Sequence, residues 1–129
     1  MEITTLRRRY QKEQAWGLLA SIDLAGCDHE LIQSPKAIKD FVARLIRQIK
    51  MKAYGPIHLK KFGAGSLEGY SAMQFIETSC ISIHCDDKLG DRVFIDVFSC
   101  KFFDHRVAEK FAKSYFKAKK SRVNLLLRK

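Results

Sequence analysis

Three reactive side chains, Ser79, His84 and Cys100, lie on segments rich in β-branched and aromatic residues. Such segments are typical of strands, and their short separation predicts that the strands are neighbours. A hairpin centred near Leu89 has a register that places Cys100 opposite Thr78 or Ser79. The sequence therefore predicts that Ser79 and Cys100 can share a site, with a hydroxyl and a thiol available for nucleophilic and proton-transfer chemistry.

His84 lies farther from Ser79 along the chain. Five strand residues at about 3.3 Å each separate the two by roughly 16 Å if the strand is straight. His84 can then reach Ser79 only through a bend or from another subunit. Spacing alone also allows structural roles, because serine and cysteine often fill strand ends and a histidine flanked by Ile83 and Cys85 is often a buried structural residue.

Hydrophobic periodicity predicts two amphipathic helices and six strands around these residues. Ser34 and Pro35 supply the cap and the first residue of a helix over 35–49, and Asp104 caps a second helix over 104–116. Strands are predicted over residues 18–24, 57–62, 70–77, 81–85, 93–100 and 122–127. This order predicts an α+β fold, a two-layer sandwich of one antiparallel sheet with helices on one face.

One predicted strand is apolar on both sides. Alternation along residues 70–77 puts Ser71, Met73 and Phe75 on one side and apolar or amide residues on the other. Since neither side is wholly polar, we expect the sheet to be covered on both faces, by helices on one face and by a partner on the other.

The composition fits one domain over residues 1–129, with 47% hydrophobic and 29% charged residues. The 24 Lys and Arg against 14 Asp and Glu give a net charge of +10, so nucleic acid remains a possible partner. No apolar run approaches the about 20 residues that span a bilayer, and we expect a soluble cytoplasmic protein. The four cysteines include no C-x-x-C pair, so we expect reduced thiols and no metal site.

Four motifs resemble, in the same order, those of the prokaryotic S-adenosylmethionine decarboxylases, small self-cleaving enzymes that carry a pyruvoyl group. That family has a Y-G-C-D turn, an H-K-F segment, a serine followed by an L-T-I-H or I-S-I-H segment, and an I-D-V-[FY]-[ST]-C strand. The corresponding positions here are residues 25–28, 61–62, Ser79 with 81–84, and 95–100. The resemblance covers most of the chain.

The resemblance implies specific roles for the reactive residues. Ser79 becomes the pyruvoyl cofactor when the backbone is cleaved after Thr78, while His84 and Ser71 assist this processing. Cys100 donates the proton that the substrate carbon receives after decarboxylation. The pyruvoyl carbonyl forms a Schiff base with the substrate amine, an electron sink that no ordinary side chain supplies. The resemblance also implies a homodimer, with Ser79 and Cys100 from one protomer and Ser71 and His84 from the other.

The sequence departs from the family at two places. Thr78 stands where the family commonly has a glutamate before the serine. The positions after His84 lack the aromatic residue that stacks on adenine in the family, and Asp87 is the candidate for the ribose-binding carboxylate. Phe62 or Tyr70 is the candidate for the stacking role. We therefore expect Phe62 and Asp87 to bind substrate.

Three readings of the function follow. The first is a pyruvoyl-dependent S-adenosylmethionine decarboxylase supplying spermidine synthesis, with no membrane or nucleic-acid partner. The second is a decarboxylase of ornithine or arginine on the same fold, in which Asp86 and Asp87 meet the distal cation. The third is a basic nucleic-acid-binding module that uses residues 7–9 and 117–122 on phosphates. An uncleaved regulatory homologue of the decarboxylases is a further alternative.

Overall fold

Within residues 2–129, which the computed structural model describes, the chain forms one six-stranded sheet and three α-helices. The elements in chain order are α1 (Ile3–Lys12), β1 (Gly17–Ala25), α2 (Pro35–Gln48), β2 (His58–Phe62), β3 (Gly69–Ile76), β4 (Ser79–Asp86), β5 (Arg92–Ser99), α3 (His105–Tyr115) and β6 (Lys120–Arg128). The strand order is β2-β3-β4-β5-β1-β6, and every neighbouring pair is antiparallel. The predicted two-layer α+β sandwich is confirmed.

The strands alternate between a buried side and an accessible side. On β4, Ile81 and Ile83 are buried, whereas His84 is exposed. The buried side packs against α2 and α3 and forms the core. We call the other side the open face. On β3, β4 and β5 it includes Ser71, Met73, Phe75, Cys80, Ser82, His84, Phe94, Asp96 and Phe98.

The two predicted helices begin where their caps indicate. The Ser34 hydroxyl accepts a backbone N–H of the first turn of α2 at 3.1 Å, and Asp104 does the same for α3 at 2.9 Å. The Phe41 ring of α2 lies 4.6 Å from the ring of Phe116, which follows α3 directly. This contact joins the helices into one layer. No helix within residues 2–129 is long and apolar enough to cross a membrane.

Helix α1 was not expected from the sequence, which indicated only that the arginines at 7–9 are solvated. Those arginines are exposed, but they lie on a helix whose Leu6 is 1% exposed. Arg7 also stacks over the ring of Phe102 at 4.4 Å. The signal was present in the spacing of Ile3, Leu6 and Tyr10, which places three apolar residues on one side of a helix.

Candidate active site

The β4–β5 hairpin brings Ser79 and Cys100 to the same end of the sheet. Its register pairs Asp86 with Arg92 and Ser79 with Ser99, as a hairpin centred on residue 89 requires. Cys100 follows β5 directly, and its N–H donates a hydrogen bond to the carbonyl of Thr78 at 2.9 Å. The carbonyl of the Thr78–Ser79 peptide bond is therefore already polarised by a backbone donor.

The same peptide bond lies at the end of a tight turn. Ile76 pairs with Ser79, so Glu77 and Thr78 alone connect β3 to β4. Ser79 has a φ of 156°, a value that L-residues rarely adopt. Such a conformation costs about 1–3 kcal/mol and persists only where the surrounding contacts hold it. The turn thus stores backbone strain beside the peptide bond that the sequence analysis singled out.

Ser71 and His84 form a second pair on the open face. They are directly opposite each other in the β3–β4 register, and Ser71 Oγ lies 2.8 Å from His84 Nδ1. His84 is exposed and lies five residues from Ser79 along the unbroken strand β4. The structure therefore groups the four residues into two pairs, Ser79 with Cys100 and Ser71 with His84, at different points of the sheet.

The Ser71–His84 pair lines a depression of about 280 Å³. Phe62, the last residue of β2, forms one wall and is 60% exposed. The remaining wall residues include three further large apolar side chains, two carboxylates and a guanidinium, namely Leu67, Leu89, Phe94, Glu68, Asp86 and Arg92. The site can therefore contact both a flat apolar group and polar groups.

The charges of the depression are paired. Burial opposes ionisation of Asp86, but hydrogen bonds from Arg92 and two backbone N–H groups outweigh it and lower the pKa of this carboxyl. The Asp86–Arg92 distance is 2.7 Å. Glu68 lies 3.9 Å from Lys61 and 3.8 Å from Lys88. The Asp86 carboxyl is therefore ionised near neutral pH.

Asp87, a predicted substrate-binding residue, lies outside this depression. Its side chain is 7% exposed and accepts a hydrogen bond from Lys88 Nζ at 2.8 Å. That bond lowers the pKa of the Asp87 carboxyl. Glu68 and Arg92 line the depression instead, and neither was expected from the sequence. Glu68 follows a glycine-dense loop into β3, and that position next to Phe62 was the available signal.

The cysteines differ in accessibility. Cys27 and Cys85 are buried, and burial raises the pKa of each thiol to about 12. Cys100 is exposed, and Cys80 is partly exposed. Because Cys100 is accessible, it is better placed for chemistry than either buried cysteine.

The fold places the chain in the class of two-layer α+β sandwiches, and comparison with known proteins identifies its family. The structure is similar to the crystal structure of the adenosylmethionine decarboxylase from Aquifex aeolicus, with a TM-score of 0.74 over 88% of this chain and 91% of that chain at 20% identity. At this identity the likeness concerns the fold. The family model for S-adenosylmethionine decarboxylase matches residues 19–129. The chain belongs to the S-adenosylmethionine decarboxylase family. No protein of curated function matches the sequence.

Proposed function

We propose that the chain is a self-processing, pyruvoyl-dependent S-adenosylmethionine decarboxylase that supplies spermidine synthesis. Membership of the family supports the decarboxylation of S-adenosylmethionine. The observation that carries the self-processing is the Thr78 carbonyl, which accepts the Cys100 N–H at 2.9 Å beside the strained Ser79. Such a donor stabilises the negative charge that develops on a carbonyl oxygen under nucleophilic attack.

Self-cleavage uses the hydroxyl of Ser79. Its oxygen attacks the Thr78 carbonyl carbon, the peptide C–N bond breaks, and the hydroxyl proton passes to the nitrogen, which leaves an ester and a free amine. Removal of the Ser79 Cα proton then expels the Thr78 carboxylate and forms a Cα–Cβ double bond. One water hydrolyses the resulting enamine after tautomerisation, releases ammonia and leaves a ketone. The products are a chain of residues 1–78 and a chain of residues 79–129.

The surroundings of Ser79 fit a pyruvoyl group. Ser79 is partly exposed and Cys100 is exposed beside it, so a substrate amine has access to both. The pyruvoyl carbonyl supplies an electron sink when the substrate loses carbon dioxide. Cys100 holds the proton that the substrate Cα takes up afterwards.

The working unit is a homodimer in which Ser79 and Cys100 of one protomer meet Ser71 and His84 of the other. The two pairs lie at different points of one sheet, and a straight β4 keeps His84 roughly 16 Å from Ser79 of its own chain. The open face also exposes large apolar side chains: Met73 is 54% exposed and Phe75 58%. Large apolar side chains exposed next to each other on one face are typical of interaction sites. A two-fold axis through this face creates two equal composite sites.

Co-expression of Ser79→Ala and His84→Ala chains tests the composite site. A mixed dimer contains one site with an intact serine and an intact histidine, so the chain that retains Ser79 should be cleaved. The other chain should stay whole, which provides an internal control. If heterodimers form and both chains remain uncleaved, His84 acts within its own protomer; cleavage of the His84→Ala chain expressed alone would show that His84 has no role.

Phe62 is proposed to stack on the adenine of the substrate, since its exposed ring forms a wall of the depression. Glu68, which lines the depression, is proposed to accept hydrogen bonds from the ribose hydroxyls in place of Asp87, which lies outside it. Phe62→Ala should therefore raise KM for S-adenosylmethionine more than it lowers kcat.

The second candidate function is decarboxylation of ornithine or arginine. The observation that favours it is the pair of carboxylates, Glu68 and Asp86, in a depression of about 280 Å³. Both carboxylates already form ion pairs with basic side chains of the protein, Glu68 with Lys61 and Asp86 with Arg92. A distal cation of ornithine or arginine would have to compete with these side chains, which favours the first candidate. Carbon dioxide release from S-adenosylmethionine, ornithine and arginine under matched conditions decides between them. We expect turnover of S-adenosylmethionine; release from a basic amino acid alone would establish the second candidate.

A further inference from the structure

The residue before Ser79 is held by a chain of hydrogen bonds on the buried side of the sheet. The Lys101 N–H donates to Ser99 Oγ at 3.0 Å, and Ser99 Oγ lies 2.8 Å from Thr78 Oγ1 and 2.8 Å from the Lys101 carbonyl oxygen, either of which can accept its proton. The Thr78 hydroxyl in turn lies 3.4 Å from Met51 Sδ, to which it donates. Ser99 is 0% exposed and Met51 8%. Water therefore has little access to the Ser99 hydroxyl, which depends on its protein partners, whereas Thr78 is partly exposed.

Thr78 is fixed on two sides by these contacts. Its side chain is tied to Ser99, and its carbonyl accepts the Cys100 N–H at 2.9 Å. Both tethers come from consecutive residues at the end of β5. The Thr78 carbonyl belongs to the peptide group that joins Thr78 to Ser79, and the φ of Ser79, 156°, is unfavourable for an L-residue. A strained conformation of this kind needs surrounding contacts that over-determine it.

We propose that Thr78 and Ser99 are a positioning pair for self-cleavage, a role that rests on the proposed cleavage at Ser79. Their hydroxyl–hydroxyl bond holds the strained turn so that the Thr78 carbonyl keeps its hydrogen bond to Cys100 while Ser79 attacks. Neither hydroxyl takes part in the bond changes. A threonine suits this role because its branched side chain has few rotamers and its hydroxyl reaches the neighbouring strand end.

The role is tested by rates of self-cleavage of the full chain, made by pulse-labelled cell-free translation and followed on denaturing gels. Thr78→Val keeps the shape of the side chain and removes the hydroxyl, and we expect cleavage to slow about tenfold. Thr78→Ser keeps the hydroxyl and should cleave within about threefold of the wild-type rate. Ser99→Ala should slow cleavage at least as much as Thr78→Val does, because it also removes the hydrogen bonds of Ser99 Oγ to the Lys101 backbone.

The double variant and a distant control separate positioning from general damage. Because Thr78→Val and Ser99→Ala remove the same contact, the double variant should be no slower than the slower single variant. Ser121→Ala removes a hydroxyl that donates to Glu109 at 2.7 Å, away from the turn, and should leave the cleavage rate unchanged. Melting temperatures in the uncleavable Ser79→Ala background report any loss of stability separately from the rate.

The outcomes distinguish this role from the proposed function itself. If the wild-type chain is not cleaved, the proposed self-processing fails and the positioning role fails with it. If the wild type is cleaved and Thr78→Val is cleaved at the same rate, only the positioning role is overturned. Equal slowing by Thr78→Val and Thr78→Ser would also overturn it, because the hydroxyl would then not be the group that matters.

Discussion

Removing the hydroxyl of Ser71 tests whether His84 works in a site covered by a partner. Ser71 Oγ lies 2.8 Å from His84 Nδ1, and His84 is exposed in the single chain. In an uncovered site, water replaces the lost partner of the imidazole in Ser71→Ala. The loss is then about 0.5–1 kcal/mol, a slowing of self-cleavage by about two- to fivefold. In a composite site the imidazole is desolvated, the loss is about 1–3 kcal/mol, and the slowing is about 5- to 150-fold.

The assay is the first-order rate of self-cleavage after pulse labelling, read from denaturing gels. The composite site predicts that Ser71→Ala slows cleavage more than fivefold and that Ser71→Thr, which keeps a hydroxyl, recovers most of the rate. Ser82→Ala, on the open face two residues from His84, is the matched control and should cleave at the wild-type rate. A slowing of less than about fivefold in Ser71→Ala would refute the reasoning that a partner covers His84.

Three further predictions concern stability and thiol reactivity. A Cβ at Gly69 would overlap the carbonyl oxygen of Cys85, so Gly69→Ala should push β3 away from β4. The expected loss of stability is about 1–3 kcal/mol, which lowers Tm by about 4–12 °C. Gly90→Ala is the control, because its Cβ would meet only a flexible side chain at 3.4 Å, and it should change Tm little. Alkylation of the native protein at about pH 8 should modify the exposed Cys100 and spare Cys85, as peptide mass mapping would detect; equal labelling of both would contradict the assigned burial. His105 is buried, and its Nδ1 has no hydrogen-bond partner among the described residues. Burial lowers the pKa of His105 in the folded protein, so the unfolded chain binds a proton more readily than the folded chain does. Stability should therefore fall as pH drops below about 6.5. The Tm should be measured from pH 7.5 to pH 5.5, about one unit either side of the ordinary histidine pKa. It should change less with pH in His105→Leu than in the wild type, and an equal change in both proteins would contradict this prediction.

The strand register at the candidate site could be predicted from the sequence because it depends on local turns. The centre of the β4–β5 hairpin near Leu89 was sufficient to place Cys100 opposite Thr78, and the Cys100–Thr78 hydrogen bond confirms that placement. The pairing of Ser71 with His84 was not predicted, because the predicted strands 70–77 and 81–85 left three residues between them, whereas only Glu77 and Thr78 connect β3 to β4. Period-2 alternation then determines which residues share the open face.

Contacts between segments distant in the sequence could not be predicted in this way. Met51 follows α2, and its approach to Thr78 depends on how the helix packs on the sheet. Glu68 reaches the depression because the loop after β2 folds back towards Arg92, whereas Asp87 turns away to Lys88. These positions depend on tertiary packing, for which periodicity carries no signal.

Intact-mass spectrometry of the purified wild-type protein tests the central claim, self-cleavage at Ser79, most directly. The account predicts two chains, residues 1–78 and residues 79–129, with the second lighter by one ammonia than simple hydrolysis would leave it. Ser79→Ala should give only the full-length mass. Full-length wild-type chain alone, in a preparation that releases carbon dioxide from S-adenosylmethionine, would contradict the account.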